Sequence, residues 1–388
     1  MRIDPRAPAR LLLRARTVPW PDHSRLFLVE DRSSWVIHWE MRALADSAKR
    51  LGVRTATPFW MPHARRQSIF YGSQFFLLAD DWLARDHRVA TAYFHGKPGS
   101  GYPDFDRLYE QVRRHHERIH RLQVSHSEME NILLETGIAP EKLHRIPIGV
   151  DLSMFPFRTP ERRLAARREL GIPEDAFVVG SFQKDGDGWG EGLAPKYIKG
   201  PDLLTDTLEI LHKRVPKLHV LLSGPARGFV RNRLSRRGIP HTHRMLDHYP
   251  DIRGLYDALD AYLVSSRQEG GPKAVLESMA CGVPLVTTRV GQAMDLVRDG
   301  ENGFMTEVGD NEGLAERLEH VFRRSEDLAP MLSDARKTAE AHDYVQLDPL
   351  WKTCFDGFVT CGKSKENELR ECKGKVDLDI DLNTLRKR

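Results

Sequence analysis

Two successive α/β units, each a parallel sheet covered by helices, are the architecture that this sequence predicts. Three observations carry the prediction. Short β-branched or aliphatic runs alternate with longer helical patterns along the chain. The alternation is interrupted once, near the middle, by a charged stretch punctuated with Pro and Gly. The length, 388 residues, suffices for two cores of ordinary size.

In the first half, "RLFLVE", "RVATAYFH" and "RLQVSHS" read as strands ending in polar residues. "WVIHWEMRALADSAKRLG" and "DFDRLYEQVRRHHERIHRL" read as helices, the former stopped by Gly52. After "RIPIGVDLSMFPF" the chain turns charged in "TPERRLAARRELGIPEDA", and the junction is expected between about Asp151 and Asp175. The second series has strands at "AFVVGSF", "KLHVLLSG", "DAYLVSS" and "PLVTT". Helices at "GPDLLTDTLEILHKR", "IRGLYDAL", "GPKAVLESMACG" and "DNEGLAERLEHVFRR" separate or follow them. The expected domains are therefore residues 1–165 and 166–340, with a helix at about 341–361 joining the first and a charged tail over 362–388.

Composition narrows the function. The 59 basic and 55 acidic residues leave a net charge of +4, too mild an excess to make nucleic acid the default partner. Cys281, Cys354, Cys361 and Cys372 form no Cys-x-x-Cys pair and read as free thiols of a reducing compartment. No stretch approaches the ~20 apolar residues that span a bilayer. The expected location is the cytoplasm, with a peripheral membrane contact left open. "ARRQSIFYGSQFFLLADDW" is the candidate for that contact, against the alternative of a buried strand or helix.

The chemistry concentrates in "SRQEGGPKAVLESMACGVPLV". Pro272 suits the first position of a helix, where the missing N–H would be unbonded anyway, and Gly282 suits its stop. Val275, Leu276 and Met279 supply an apolar face. Glu277 then lies within the helix and Glu269 in the loop before it. Gly270 and Gly271 place backbone N–H groups near the helix start, where the macrodipole favours anions. Amides toward phosphate and carboxylates toward hydroxyls fit a polyhydroxylated anionic ligand.

With its flanks, this segment resembles the donor-site signature of GT-B glycosyltransferases, most like the retaining family 4 (group 1) members. Ser278 stands where that family has alanine, and Gln292 where it has the second glycine of a Gly-Gly pair. "KGPDLL" resembles the family's Lys-Gly, which puts Lys199 near the donor pyrophosphate. "IPIGVDLSMF" resembles its domain junction, with Ile148 in place of asparagine. "VATAYFHG" resembles the strand and loop carrying an acceptor-side histidine, here His95. Two departures stand out. Ser181 occupies the place of the family's phosphate-binding arginine, leaving Lys184 as the nearest substitute cation and Lys196 in reserve. The family's N-terminal Gly-Gly loop is replaced by "EDRSSWVIHW", where Ser33 and Ser34 can still offer amides.

The resemblance implies a fold of two Rossmann-like domains facing across a cleft. It implies transfer of a sugar, with retention, from a nucleotide-diphosphate donor to a glycan, lipid-linked or small-molecule acceptor. His95, Glu269 and Lys199 are then the catalytic candidates. Lys184, Gly270, Gly271, Glu277, Ser33 and Ser34 complete the donor site, Glu277 at the ribose. Cations and amides aimed at the departing phosphate supply the stabilisation. No cofactor or metal is expected; Asp185 and Asp187 read as turn aspartates rather than ligands. Base recognition is expected around Met245 and Leu246. A nucleotide-sugar epimerase or hydrolase on the same scaffold remains an alternative. So does a non-catalytic binding subunit that docks through "RRHHERIHRLQ" and "RGFVRNRLSRRG".

Overall fold

The computed structural model describes residues 22–30, 36–56, 66–79, 82–83 and 86–359. Ser33 and Ser34, Cys361 and Cys372, and the charged tail lie outside these residues. The first sheet comprises β1 (Asp22–Val29), β2 (Arg54–Ala56), β3 (Gln67–Tyr71), β4 (Arg88–Ala92), β5 (Ile119–Val124) and β6 (Leu143–Arg145). Their order across the sheet is β2-β1-β3-β4-β5-β6, and every pairing is parallel. The second sheet comprises β7 (Phe177–Phe182), β8 (Leu218–Ser223), β9 (His241–Arg244), β10 (Ala261–Val264), β11 (Leu285–Thr288) and β12 (Phe304–Thr306). Its order is β12-β11-β10-β7-β8-β9, again parallel throughout.

Parallel neighbours need crossover connections, so both faces of each sheet are covered and the strands carry apolar residues on both sides. The two faces of the second sheet are two separate clusters, one around Leu259, Met279 and Cys281, the other around Leu208, Val220 and Leu318. The order reverses between β7 and β10, and the crevice beyond their carboxyl ends is where such sheets bind ligands.

Helix Pro160–Leu170 shows how the charged junction is used. Thr159 caps it by accepting from the Arg162 amide, and Gly171 ends it in the left-handed region at φ 67°. Its buried Arg167 donates to Asp260 at 2.5 Å and to the carbonyls of Ala258, Glu174 and Ala176. Arg162 reaches Asp257 and Arg163 reaches Asp260. The whole helix is thereby fastened to the second sheet, and residue 165 falls in its middle. Helix Asp348–Phe355 returns to the first sheet, where Trp351, Cys354 and Phe355 pack with Leu26 and Phe70.

"QSIFY", within the candidate membrane-contact segment, is strand β3, buried inside the first sheet. The two basic segments are also largely engaged. Arg113 and Arg114 pair with Glu110, Arg121 donates to the carbonyls of Cys354 and Asp356, and Arg233 pairs with Asp206 and Glu209. Among the described residues no helix is long and apolar enough to cross a membrane.

Candidate active site

The loop after β10 leads into helix Lys273–Cys281, with Pro272 immediately before its first residue rather than within it. Val275, Leu276 and Met279 are buried as their spacing requires, and Gly282 ends the helix at φ 71°. Glu269 receives the Lys199 ammonium at 2.7 and 2.6 Å, one contact to each oxygen, and the Ser266 hydroxyl at 2.8 Å. The Lys-Gly pair explains how Lys199 arrives there. A Cβ on Gly200 would stand 2.0 Å from the Ser265 carbonyl oxygen, and the residue sits at φ 62°. Only glycine lets this backbone pass so close. Ile198, the residue before Lys199, buries itself in the same first-unit core cluster as Phe105, and its amide donates to the Tyr102 hydroxyl at 3.1 Å.

His95 comes from the opposite unit. Its ring lies edge-on to Phe105 at 5.4 Å, and Nδ1 is shut from solvent without a hydrogen-bond partner. Burial, reinforced by the charge of Lys199 and only partly opposed by Glu269, brings its pKa down to about 4. At neutral pH the imidazole is uncharged. Gln74 fixes the loop, donating to the His95 carbonyl and accepting from the Phe94 amide at 3.0 Å. The structure thus brings His95, Lys199 and Glu269 together.

Lys196 joins them: burial, then Lys199 and Lys184, hold its pKa below the usual lysine range. Lys184 lies 4.9 Å above the Trp189 ring and donates to the Gly186 carbonyl. The glycine-rich loop between these lysines is an ordered hairpin, with Gly186 bridged to Pro195. Its Glu191 and Gly192 carbonyls accept from the Gly228 and Phe229 amides, satisfying the open start of helix Gly228–Arg236.

Behind the hairpin lies a cation that the sequence offers only as part of the docking segment "RGFVRNRLSRRG". Arg227 is buried, donating to the carbonyls of Ser181, Gln183 and Ser223, and its guanidinium is 3.1 Å from Asp185. The Asp185 carboxylate therefore faces an arginine inside the protein, and burial pushes its pKa up against that charge. Among the described residues no group of three or more His, Cys, Asp or Glu side chains could hold a metal ion.

Gly270, Gly271 and Glu277 are placed differently from expectation. Cβ atoms on the two glycines would stand 2.5 Å from Phe94 Cβ and 2.8 Å from Ile148 Cδ1 and Gln292 Oε1, respectively. The pair forms a seam where the two units meet, with the Gly270 carbonyl accepting from Ser125 Oγ and from the Gln292 amide. Gln292, in the place of a family glycine, also holds both the amide and the carbonyl of Ile148. Glu277 is 3% exposed and accepts from the hydroxyls of Tyr249 and Tyr256, the latter at 2.7 Å. Burial raises its pKa against the pull of Lys273 and these hydroxyls. The tyrosines come from segments 21 and 28 residues away, which no local pattern links to Glu277. Ser266, by contrast, does carry a sequence signal, since it opens the quoted "SRQE" three residues before Glu269.

Residues 193–338 match the family described as "Glycosyl transferases group 1". The D-inositol 3-phosphate glycosyltransferase of Geodermatophilus obscurus is 30% identical over 249 residues, covering 60% of this chain and 50% of that protein. The putative glycosyltransferase EpsD of Bacillus subtilis is 26% identical over 212 residues, covering 53% and 52%. The chain spans about half the length of the curated relatives it matches. Among solved structures, Anabaena HepE in complex with UDP-glucose superposes with a TM-score of 0.68 at 18% identity, over 86% of this chain and 99% of that one. Sucrose-phosphate synthase from Thermosynechococcus elongatus does so with a TM-score of 0.68 at 14% identity, over 86% and 98%. Two six-stranded parallel sheets in this arrangement are the GT-B fold, and within it residues 193–338 match the glycosyl transferases group 1.

Proposed function

We propose that the chain transfers a sugar from a nucleoside-diphosphate sugar to a glycan, lipid-linked or small-molecule acceptor, with retention and without a metal or other cofactor. The observation that carries this reading is the Lys199–Glu269 pair at the carboxyl end of the second sheet, closed over by His95 of the first unit. Breaking the bond between the anomeric carbon and the diphosphate leaves a cationic sugar and an anionic leaving group. The barrier is that charge separation, and prearranged cations lower it. Lys199 is placed to receive the leaving phosphate, with Lys196 and Lys184 adding positive charge in the place of the family's arginine. Glu269, released from Lys199 by the phosphate, then holds hydroxyls of the transferred sugar. Neutral His95 hydrogen-bonds at the same sugar. Glu277 reaches the ribose by exchanging the Tyr249 hydroxyl for a ribose hydroxyl. On this reading the protein works in the cytoplasm. A contact with the inner face of a membrane would draw on the exposed Arg231 and Arg236, since most other arginines of the two basic segments are paired within the protein.

The test is calorimetric titration with UDP-, GDP- and ADP-sugars, then measurement of nucleotide release with whichever binds, using crude lipid and polysaccharide acceptors. Binding followed by acceptor-dependent release supports transfer, and the anomeric proton coupling of the product reads retention. Release should persist in EDTA. Loss on chelation, restored by Mg²⁺ or Mn²⁺, overturns the metal-free mechanism. Solvent deuterium entering the sugar without an acceptor identifies an epimerase instead. If no nucleotide sugar binds, the reading fails.

A further inference from the structure

A cavity of about 310 Å³ lies where helix Val36–Arg50, both chain crossings between the units and the start of helix Lys273–Cys281 meet. None of His95, Lys199 and Glu269 lines it. We propose that this hinge cavity binds one neutral sugar ring, free or at the end of a glycan, as a site apart from the phosphate end of the donor site at Lys199 and Glu269, bordering the Glu277 side of that site only through Tyr249.

Shape and chemistry both point to that class. Trp39 and Tyr249 form an aromatic wall, their ring centroids 5.1 Å apart and tilted by 43°. Such a wall suits the apolar C–H face of a sugar. Most charges around the cavity are already engaged within the protein. Lys273 donates to Glu40 at 2.8 Å and to the Tyr344 hydroxyl at 2.6 Å, and Arg50 is paired with Asp348. Asp343 accepts from the amides of Leu152 and Val345, and Asp151 from Ser153.

The exposed pair Arg42 and Asp46 is different. They stand one turn apart on the helix, and among the described residues neither takes a hydrogen bond. Arg42 rests over the Trp39 ring at 5.2 Å. One donor and one acceptor of opposite charge beside an aromatic face match the edge of a sugar, whose hydroxyls both give and take hydrogen bonds. A phosphate would meet three carboxylates here, those of Asp46, Asp151 and Asp343. A purely apolar ligand would strip water from Arg42 and Asp46 without replacement. The volume sits at the low end of the ~300–1,000 Å³ typical of small-molecule clefts, which suits a single ring.

Both crossings, Asp151–Phe155 and Asp343–Val345, contribute to the lining, so a bound sugar touches both units at once. The experiment is calorimetric titration of the full chain with glucose, galactose, mannose and N-acetylglucosamine, and with maltotriose as the chain-end source. Saturable millimolar binding of at least one is expected. Arg42→Ala and Asp46→Ala, at exposed positions, should each weaken it about fivefold, and Trp39→Ala about tenfold. Lys199→Ala, which addresses the donor site, should leave it within about twofold, since distant sites act independently. Tighter binding of maltotriose than of glucose assigns a chain end; equal or weaker binding assigns a free sugar. Absence of saturable binding by every sugar overturns the proposal. So does binding that is lost in Lys199→Ala and kept in Arg42→Ala and Asp46→Ala. Because the donor site is tested with nucleotide sugars, either assignment can fail without the other.

Discussion

Glu269 and Glu277 lie eight positions apart in one motif, yet the protein treats their carboxylates in opposite ways. Around Glu269 the partners reach the cleft: an ammonium from a distant loop and a serine hydroxyl, with a neutral imidazole near by across the gap between the units. Around Glu277 the nearest partners are two phenols, set in a cluster of aromatic rings that includes Phe155, Phe182 and Tyr262. An ion pair at a cleft can be exchanged for a ligand of matching charge. A buried carboxylate held by neutral donors is costly to disturb, because any partner left behind is left desolvated. The difference therefore separates a group poised for exchange from one that also shapes its own surroundings.

The largest effect expected from breaking this contrast is on turnover. Glu269→Gln removes the anion that orients Lys199 and, on the proposed mechanism, the acceptor for sugar hydroxyls, so kcat should fall about 10²- to 10³-fold. Nucleotide release measured with the bound donor reads it; unchanged kcat takes Glu269 out of the reaction. Lys199→Ala should weaken binding of a free nucleoside diphosphate by roughly 10- to 100-fold, the worth of a charge-assisted contact. Calorimetry decides that, and parental affinity would detach Lys199 from the phosphate.

Glu277→Gln sharpens the other side. The amide nitrogen cannot accept from a tyrosine hydroxyl, so one phenol loses its partner, and folding stability should drop by about 1–3 kcal/mol in denaturant titration. A stability loss smaller than that of Glu269→Gln would contradict the assignment of Glu277 to the interior.

The smallest effect concerns acid. Burial brings the pKa values of His95, His144 and His219 down to about 4 in the folded chain, against the ordinary value of 6.5. Between those pH values the unfolded chain takes up protons that the folded one refuses, so stability falls as pH falls through that window. Their contribution is complete above pH 6.5 and levels off below about 4. Replacing the exchangeable member, as His95→Gln, should flatten the slope of denaturation midpoint against pH; an unaltered slope would mean that His95 titrates normally.

Much of the fold is legible in the sequence because alternating strands and helices are written locally: Val275, Leu276 and Met279 at helical spacing, Thr159 and Gly171 at the two ends of a helix. Short strands such as Arg54–Ala56 and Leu143–Arg145 carry too few residues to show a period and emerge only through pairing. At the site, Lys199 and Glu269 follow from motif residues, and their mutual contact is what Gly200 permits. The tyrosines on Glu277 and the arginine beneath Ser181 are contacts between distant segments, for which a sequence carries no spacing rule. The glycine pair shows the limit in another way. Its residues signal close backbone approach, but whether a ligand or another part of the chain makes that approach is decided only by the neighbouring unit.

The return of helix Asp348–Phe355 to the first sheet has a consequence for the order of assembly during synthesis. The second unit can be completed from residues contiguous in the chain. The first, although it leaves the ribosome earlier, lacks Trp351, Phe355 and Phe358 against Leu26 and Phe70 until the last described helix emerges. The Arg50–Asp348 contact that fastens this helix closes a loop of 298 residues. Closing so long a loop is far easier once the intervening chain has folded and drawn its ends together. The unit made first is thus the one finished last, and until then the apolar residues awaiting that helix are surface for a chaperone to cover.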